Sequence, residues 1–325
     1  MHVHPDIAAL RSDRLAQRRV QARMREASVA WRGKTEVEEL ATEIDRYGEA
    51  APLGDCSRLC ATITEQATGR SLAQAWIGAF LEALETEPLG EVPHVYRCAD
   101  GFTSVQLLRS GAASLNLVAY ERRAARPATG PASVLFSDRE CHELVLAGAA
   151  RGTIHRRRVV ATGATEIETI ETDWSEGDCI ALSGSGTARQ IAAVDDVLLL
   201  LQLVRSPERP APSREFSLAD GTLLATTSGD KRASQKVMAL AVLGAMGEAT
   251  ALSAIEQRAL DACEDCDVRW EAARQALALD PVRGMRLLWT IRSNGDEGLA
   301  RAASSLERQL VASYPQLARH RKEAA

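Results

Sequence analysis

The residues able to do chemistry in this 325-residue chain are few: six histidines, seven cysteines and the carboxylates scattered among them. A transition-metal centre needs three or four nitrogen, sulfur or oxygen donors converging on one point. Of the histidines His2, His4, His94, His142, His155 and His320, only the middle three fall in one region. His142 and Glu143 are neighbours, so on a regular strand they point to opposite faces and cannot chelate the same interior ion. His155 precedes Arg156-Arg157-Arg158, whose charge opposes a nearby dication, and it reads as a solvent-facing strand residue. A site rearranged around His94, His142 and His155, with Glu140 or Cys141, is the metal alternative.

Other motifs lack their complements. Cys263-x-x-Cys266 has no second ligand pair for zinc and no βαβ setting for redox work. Cys56-x3-Cys60 is a helical-face pair. Ser183-Gly184-Ser185-Gly186-Thr187 lacks the lysine and following helix of a phosphate loop and reads as a hairpin-type turn. His2-Val3-His4 reads as a disordered terminus, and no nucleophile elbow is present.

The elements that must position these residues follow from periodicity. Residues 7–86 read helical in pieces, Glu36–Tyr47, Cys56–Ala67 and Leu72–Leu84, the last with Ser71 as its cap. From His94 the chain turns to short strands: Ser104–Leu108, Ser114–Tyr120, Ala132–Phe136, His142–Ala147, Gly152–Val160, Glu166–Thr172, Cys179–Leu182, Arg189–Ala192 and Val197–Leu203. Turn clusters about every ten residues, Thr129-Gly130 and Thr162-Gly163 among them, argue for a closed antiparallel barrel or sandwich. After Gly229 the helical period returns in Ser234–Met246, Ala251–Cys263, Val268–Leu279, Val282–Ile291 and Gly298–Tyr314, with one stretch, 267–277, resembling a HEAT-type helix. The expected division is 1–93 helical, 94–228 barrel and 229–325 helical.

Composition narrows the function classes. With 46% apolar residues the chain can build real cores. No stretch approaches a membrane span, and the N-terminus shows no secretory signal, so the expected location is cytoplasmic with reduced thiols. The net charge of −5 hides a basic arm: residues 1–34 carry eight bases and three acids. Without interleaved aromatics the arm reads as solvated or as an oligomer contact rather than as a nucleic-acid surface.

The β region resembles the cupin barrel of cysteine-dioxygenase-type thiol dioxygenases. The resemblance is carried over about 94–225 by Phe102-Thr103-Ser104 to Gly111 and Ser114-Leu115-Asn116-Leu117-Val118, by Asp138-Arg139-Glu140-Cys141-His142 to Gly148, and by Glu176-Gly177-Asp178, Ser185 to Arg189 and Leu200-Leu201-Gln202-Leu203. It implies an α+β chain, a cupin (double-stranded β-helix) barrel between two helical regions. It also places the family's three iron-binding histidines on Val134, Phe136 and Ala188, its carboxylate-binding arginine on Ser104, and its late histidine and tyrosine on Gln202 and Val204. Cys141 matches the family's crosslinking cysteine, but valine stands where its partner tyrosine would be.

Two readings follow. In one, the barrel is a pseudoenzyme without cofactor. Its former iron cavity would be apolar and suited to a small apolar ligand, with Glu140, Cys141, Arg189 and Gln202 as its ligand-binding residues and helical flanks for a protein partner or a second copy. In the other, it is an Fe-dependent dioxygenase or hydroxylase with relocated ligands.

Overall fold

The computed structural model describes residues 7, 11, 13–122, 132–160, 164–293 and 297–317; the turn clusters at Thr129-Gly130 and Thr162-Gly163, and His2, His4 and His320, lie outside them. The chain falls into two compact units, Met1–Thr227 and Ser228–Ala325.

Among the described residues the first unit carries the helices α1 (Arg14–Arg32), α2 (Thr35–Gly48), α3 (Ser57–Thr64) and α4 (Gln66–Thr86) ahead of its strands. Asp13 starts α1 by accepting hydrogen bonds from the backbone N–H groups of Leu15 and Ala16. Over Arg14–Arg32 the basic segment is therefore a packed helix with a solvated outer face. Val20, Met24, Ser28 and Trp31 lie on one helical face and are buried, while the arginines keep to the outer side. α4 begins five residues before Ser71, which falls inside the helix rather than capping it. Its Gly69 sits so close to the sheet that a Cβ there would lie 2.6 Å from Leu144 and 2.8 Å from the Thr62 carbonyl oxygen.

Among the described residues twelve strands follow: β1 (Tyr96–Ala99), β2 (Phe102–Ser110), β3 (Ala113–Glu121), β4 (Ser133–Phe136), β5 (Glu140–Ala147), β6 (Ala150–Val159), β7 (Thr165–Trp174), β8 (Cys179–Leu182), β9 (Thr187–Val194), β10 (Val197–Arg205), β11 (Ser213–Ser217) and β12 (Leu223–Thr227). Periodicity missed β1, β11 and β12. Among the described residues the strands form no closed barrel. They make a six-stranded antiparallel sheet, β1-β2-β3-β10-β5-β8, and two three-stranded ones, β12-β11-β4 and β7-β6-β9. The sheets end at β1 and β8, at β12 and β4, and at β7 and β9, so none closes on itself as expected.

The central strand explains the layering. β10 reads Val-Leu-Leu-Leu-Leu-Gln-Leu-Val, apolar on both faces because both faces are covered. Leu201 and Leu203 point to the helices, with Leu115, Leu117, Leu144 and Leu146 beside them. Leu198 and Leu200 point the other way, packing with Val118 and Val145 against Ala150, Ile154 and Trp174 of the β7-β6-β9 sheet. On the far side of that sheet, Val134, Phe136 and Phe216 from β4 and β11 close over Ala188 and Ile167. The order β3-β10-β5-β8 in one sheet, with β4 between β11 and the neighbourhood of β9, is that of a jelly roll, two interleaved Greek keys.

Among the described residues the second unit is a pack of the helices α5 (Lys231–Ala245), α6 (Leu252–Leu260), α7 (Cys266–Leu279), α8 (Pro281–Ser293) and α9 (Glu297–Ser313). Small residues on α7, Ala272, Ala273 and Ala276, let Ile255, Met285, Leu288 and Ile291 close around it. Asp265 caps α7, and Cys263 and Cys266 are exposed at its start.

Candidate functional site

The inner face of the large sheet carries a polar row in an otherwise hydrocarbon surface. Asn116 on β3, Gln202 on β10 and Glu143 on β5 stand directly opposite one another in register. From β9, Arg189 reaches across to this row. Its Nη2 donates to Glu143 Oε1 at 2.6 Å and its Nε donates to Oε2, a two-pronged ion pair linking the two sheets. Gln202 Nε2 donates to Glu143 Oε1 at 2.6 Å. The pair is buried, with side chains 9% and 1% exposed. Burial alone would push the Arg189 guanidinium down, but the Glu143 carboxylate overrides it and holds it above its ordinary value. The Tyr120 ring lies under the same guanidinium at 5.5 Å.

Beside the pair is a cavity of about 160 Å³, lined by Tyr120, Leu135, Ser137, Arg139, Cys141, Glu143, Leu182, Thr187, Ala188, Arg189 and Gln202. Burial, with Glu143 next in importance, pushes the Cys141 thiol up to about 12, so it stays protonated and is no thiolate nucleophile. Three of the four anticipated ligand-binding residues, Cys141, Arg189 and Gln202, meet here.

Glu140 does not. Side chains alternate along β5, so Glu140 and His142 face the helices while Cys141 and Glu143 face the cavity. There Glu140 accepts from His142 Nε2 at 2.8 Å and from Arg205, whose Nη1 also donates to the backbone carbonyls of Tyr47 and Ala51. The Glu140 carboxyl, although burial works to raise it, is held below its usual range by His142 and Arg205.

The positions assigned to iron do not converge either. Val134 and Phe136 turn away from the cavity into the layer with Phe216, and their chain neighbours Leu135 and Ser137 line it instead; Ala188 does border it. An apolar cavity was expected, yet ionic and hydrogen-bonding side chains make most of its wall. The alternative histidines are equally dispersed. His94 lies among Trp31, Trp76 and Phe80, with its Nδ1 donating to the Gln106 carbonyl at 2.8 Å. His142 is on the helix side of β5. His155, expected in solvent, is only 1% exposed, held by Thr153, Thr169 and Gln190. Among the described residues, no group of three or more His, Cys, Asp or Glu is placed to hold a metal ion. The iron that the resemblance implies does not fit this donor set, in which the cavity's one carboxylate is already engaged by arginine.

Sequence reasoning missed Glu143 and Tyr120. The signal for Glu143 was a lone acid inside the apolar run 141–147, matched by a lone base, Arg189, inside β9.

No protein-family model matches the chain, and no curated protein does. Solved structures similar to part of it include CapF with the inhibitor 3-isopropenyl-tropolone, 13% identical over 36% of this chain and 32% of that one, with a TM-score of 0.26. An oxalate decarboxylase variant from Bacillus subtilis is 19% identical over 41% of this chain and 30% of that one, with a TM-score of 0.24. A cupin superfamily protein from Desulfitobacterium hafniense is 14% identical over 35% and 84%, with a TM-score of 0.23. The chain thus spans about a third of the length of the first two. The jelly-roll assignment rests on this chain's own strand order. No helix among the described residues is long and apolar enough to cross a membrane.

Proposed function

We propose that this chain is a non-catalytic binding module: a jelly roll of cupin type that works without metal and takes a small organic molecule in the cavity beside Glu143 and Arg189. The engagement of Glu143 carries this reading. A metal ligand or a general base must offer a free lone pair, and this carboxylate spends its oxygens on Arg189 and Gln202. The protonated Cys141 thiol removes the other candidate nucleophile. The hydrocarbon side chains of Val134, Phe136 and Ala188, at the positions where the thiol-dioxygenase resemblance puts histidine, support a pseudoenzyme that kept its fold and not its iron chemistry.

Protein purified with Fe(II) under anaerobic conditions is expected to retain no stoichiometric iron and to show no oxygen uptake with cysteine or other small thiols. In a thermal-shift screen of small organic molecules, hits are expected for the native chain and not for Leu135→Trp, which fills the cavity mouth. One equivalent of tightly held iron, or thiol-dependent oxygen consumption, overturns the proposal.

A further inference from the structure

The cavity's hydrogen-bonding capacity is unbalanced. Glu143 accepts from both Arg189 and Gln202, so its acceptor sites are largely taken. Arg189 spends Nε and Nη2 on Glu143, with Nη2 also 3.5 Å from the Tyr120 hydroxyl, leaving Nη1 without a hydrogen-bond partner among the described residues. Arg139, exposed at the mouth, makes no side-chain hydrogen bond or ion pair among the described residues. Ser137 and Thr187 are engaged with Ser213 and Ser183. The wall therefore offers the Nη1 donors of Arg189, the guanidinium of Arg139 and the second N–H of Gln202, while beyond the engaged Glu143 its acceptors are all neutral, the Gln202 amide oxygen and the hydroxyl oxygens of Tyr120, Ser137 and Thr187. Its fixed charges, two arginines and one glutamate, sum to +1.

A second observation concerns shape. Leu135 and Leu182 supply the apolar side chains of the same wall. At about 160 Å³ the cavity is close in size to one that holds a benzene molecule, so it suits a ligand of roughly six to ten non-hydrogen atoms. An inorganic anion would satisfy the arginines and leave the leucines uncovered. A neutral molecule would cover the leucines and leave a desolvated guanidinium edge unpaired, which is costly.

Taken together, the donor excess and the leucine patch point to a small organic carboxylate as the ligand, its carboxyl group toward Arg189 and Arg139 and a short hydrocarbon body against Leu135 and Leu182. We infer this ligand class for the binding module proposed above, and it rests on that reading.

The test is calorimetric titration of the full chain with butyrate and benzoate, with the matched amides butyramide and benzamide, and with inorganic phosphate. The carboxylates are expected to bind about tenfold or more tightly than their amides and than phosphate. Arg139→Gln, an exposed change that leaves the core untouched, is expected to weaken the carboxylates about threefold and leave the amides unmoved. Equal binding of acids and amides, phosphate binding as tight as benzoate, or carboxylate affinity indifferent to Arg139→Gln overturns the assignment. Binding of the amides alone overturns it while the cavity's role as a binding site stands. Binding by none of the probes overturns both.

Discussion

Glu140 and Glu143, three positions apart on β5, reach opposite faces of the same sheet, and each ends in an ion pair with an arginine from elsewhere in the chain. The Glu140 pair joins neighbouring strands of the sheet, from which Arg205 goes on to the Tyr47 and Ala51 carbonyls, and the Glu143 pair ties the sheet to the second one. Their different burial gives them different energetic weight.

Replacing Glu143 with glutamine leaves the Arg189 charge buried without its counter-ion. Removing one partner of a buried pair costs about 3–5 kcal/mol, so Glu143→Gln is expected to lower the denaturant midpoint sharply. Replacing both residues with hydrocarbon of similar volume, Glu143→Leu with Arg189→Met, is expected to recover most of the loss. Urea unfolding followed by circular dichroism checks this, and an unshifted midpoint for Glu143→Gln refutes it.

Arg205 acts as a C-terminal clamp for α2. Its Nη1 donates to Tyr47 O at 2.9 Å and Ala51 O at 2.8 Å, and its guanidinium stacks 4.1 Å over the Tyr47 ring. Charged hydrogen bonds of this kind put the loss for Arg205→Ala at about 2–3 kcal/mol. Arg205→Lys should fall between it and the native chain, because an ammonium lacks the planar fork. The same unfolding measurement ranks the three, and a lysine variant as stable as the native chain would contradict the clamp.

Acid should destabilise the first unit through two buried histidines. Burial lowers both His94 and His155 from the ordinary 6.5. The unfolded chain therefore binds protons before the folded one does as pH falls. Stability is complete above about pH 6.5 and declines below it. Melting temperatures taken from pH 8 down to pH 5 are expected to be level at first and then to drop, and a flat profile throughout argues against it.

Thiol reactivity should divide along burial. Cys98, Cys179, Cys263 and Cys266 are exposed, whereas Cys56 and Cys141 are buried. Alkylation of the native protein at pH 8 is expected to spare Cys56 and Cys141 until denaturant is added. Peptide mass mapping reads the result, and early modification of Cys141 would contradict its high-lying thiol.

The succession of helices, strands and helices was legible because each periodicity is local: Val37, Leu40, Ile44 and Tyr47 mark one face of α2 whatever lies beside it. Alternation along β5 likewise separated His142 from Glu143. Alternation, however, states only that neighbours face opposite ways, and in a sheet covered on both sides hydrophobicity names neither face. Tertiary structure alone decided that Leu135 rather than Phe136 borders the cavity, that Glu140 serves the helices, and that Arg189 crosses between sheets to meet Glu143. Those outcomes depend on strand pairings and layer contacts between residues 46 or more positions apart, which no local pattern records.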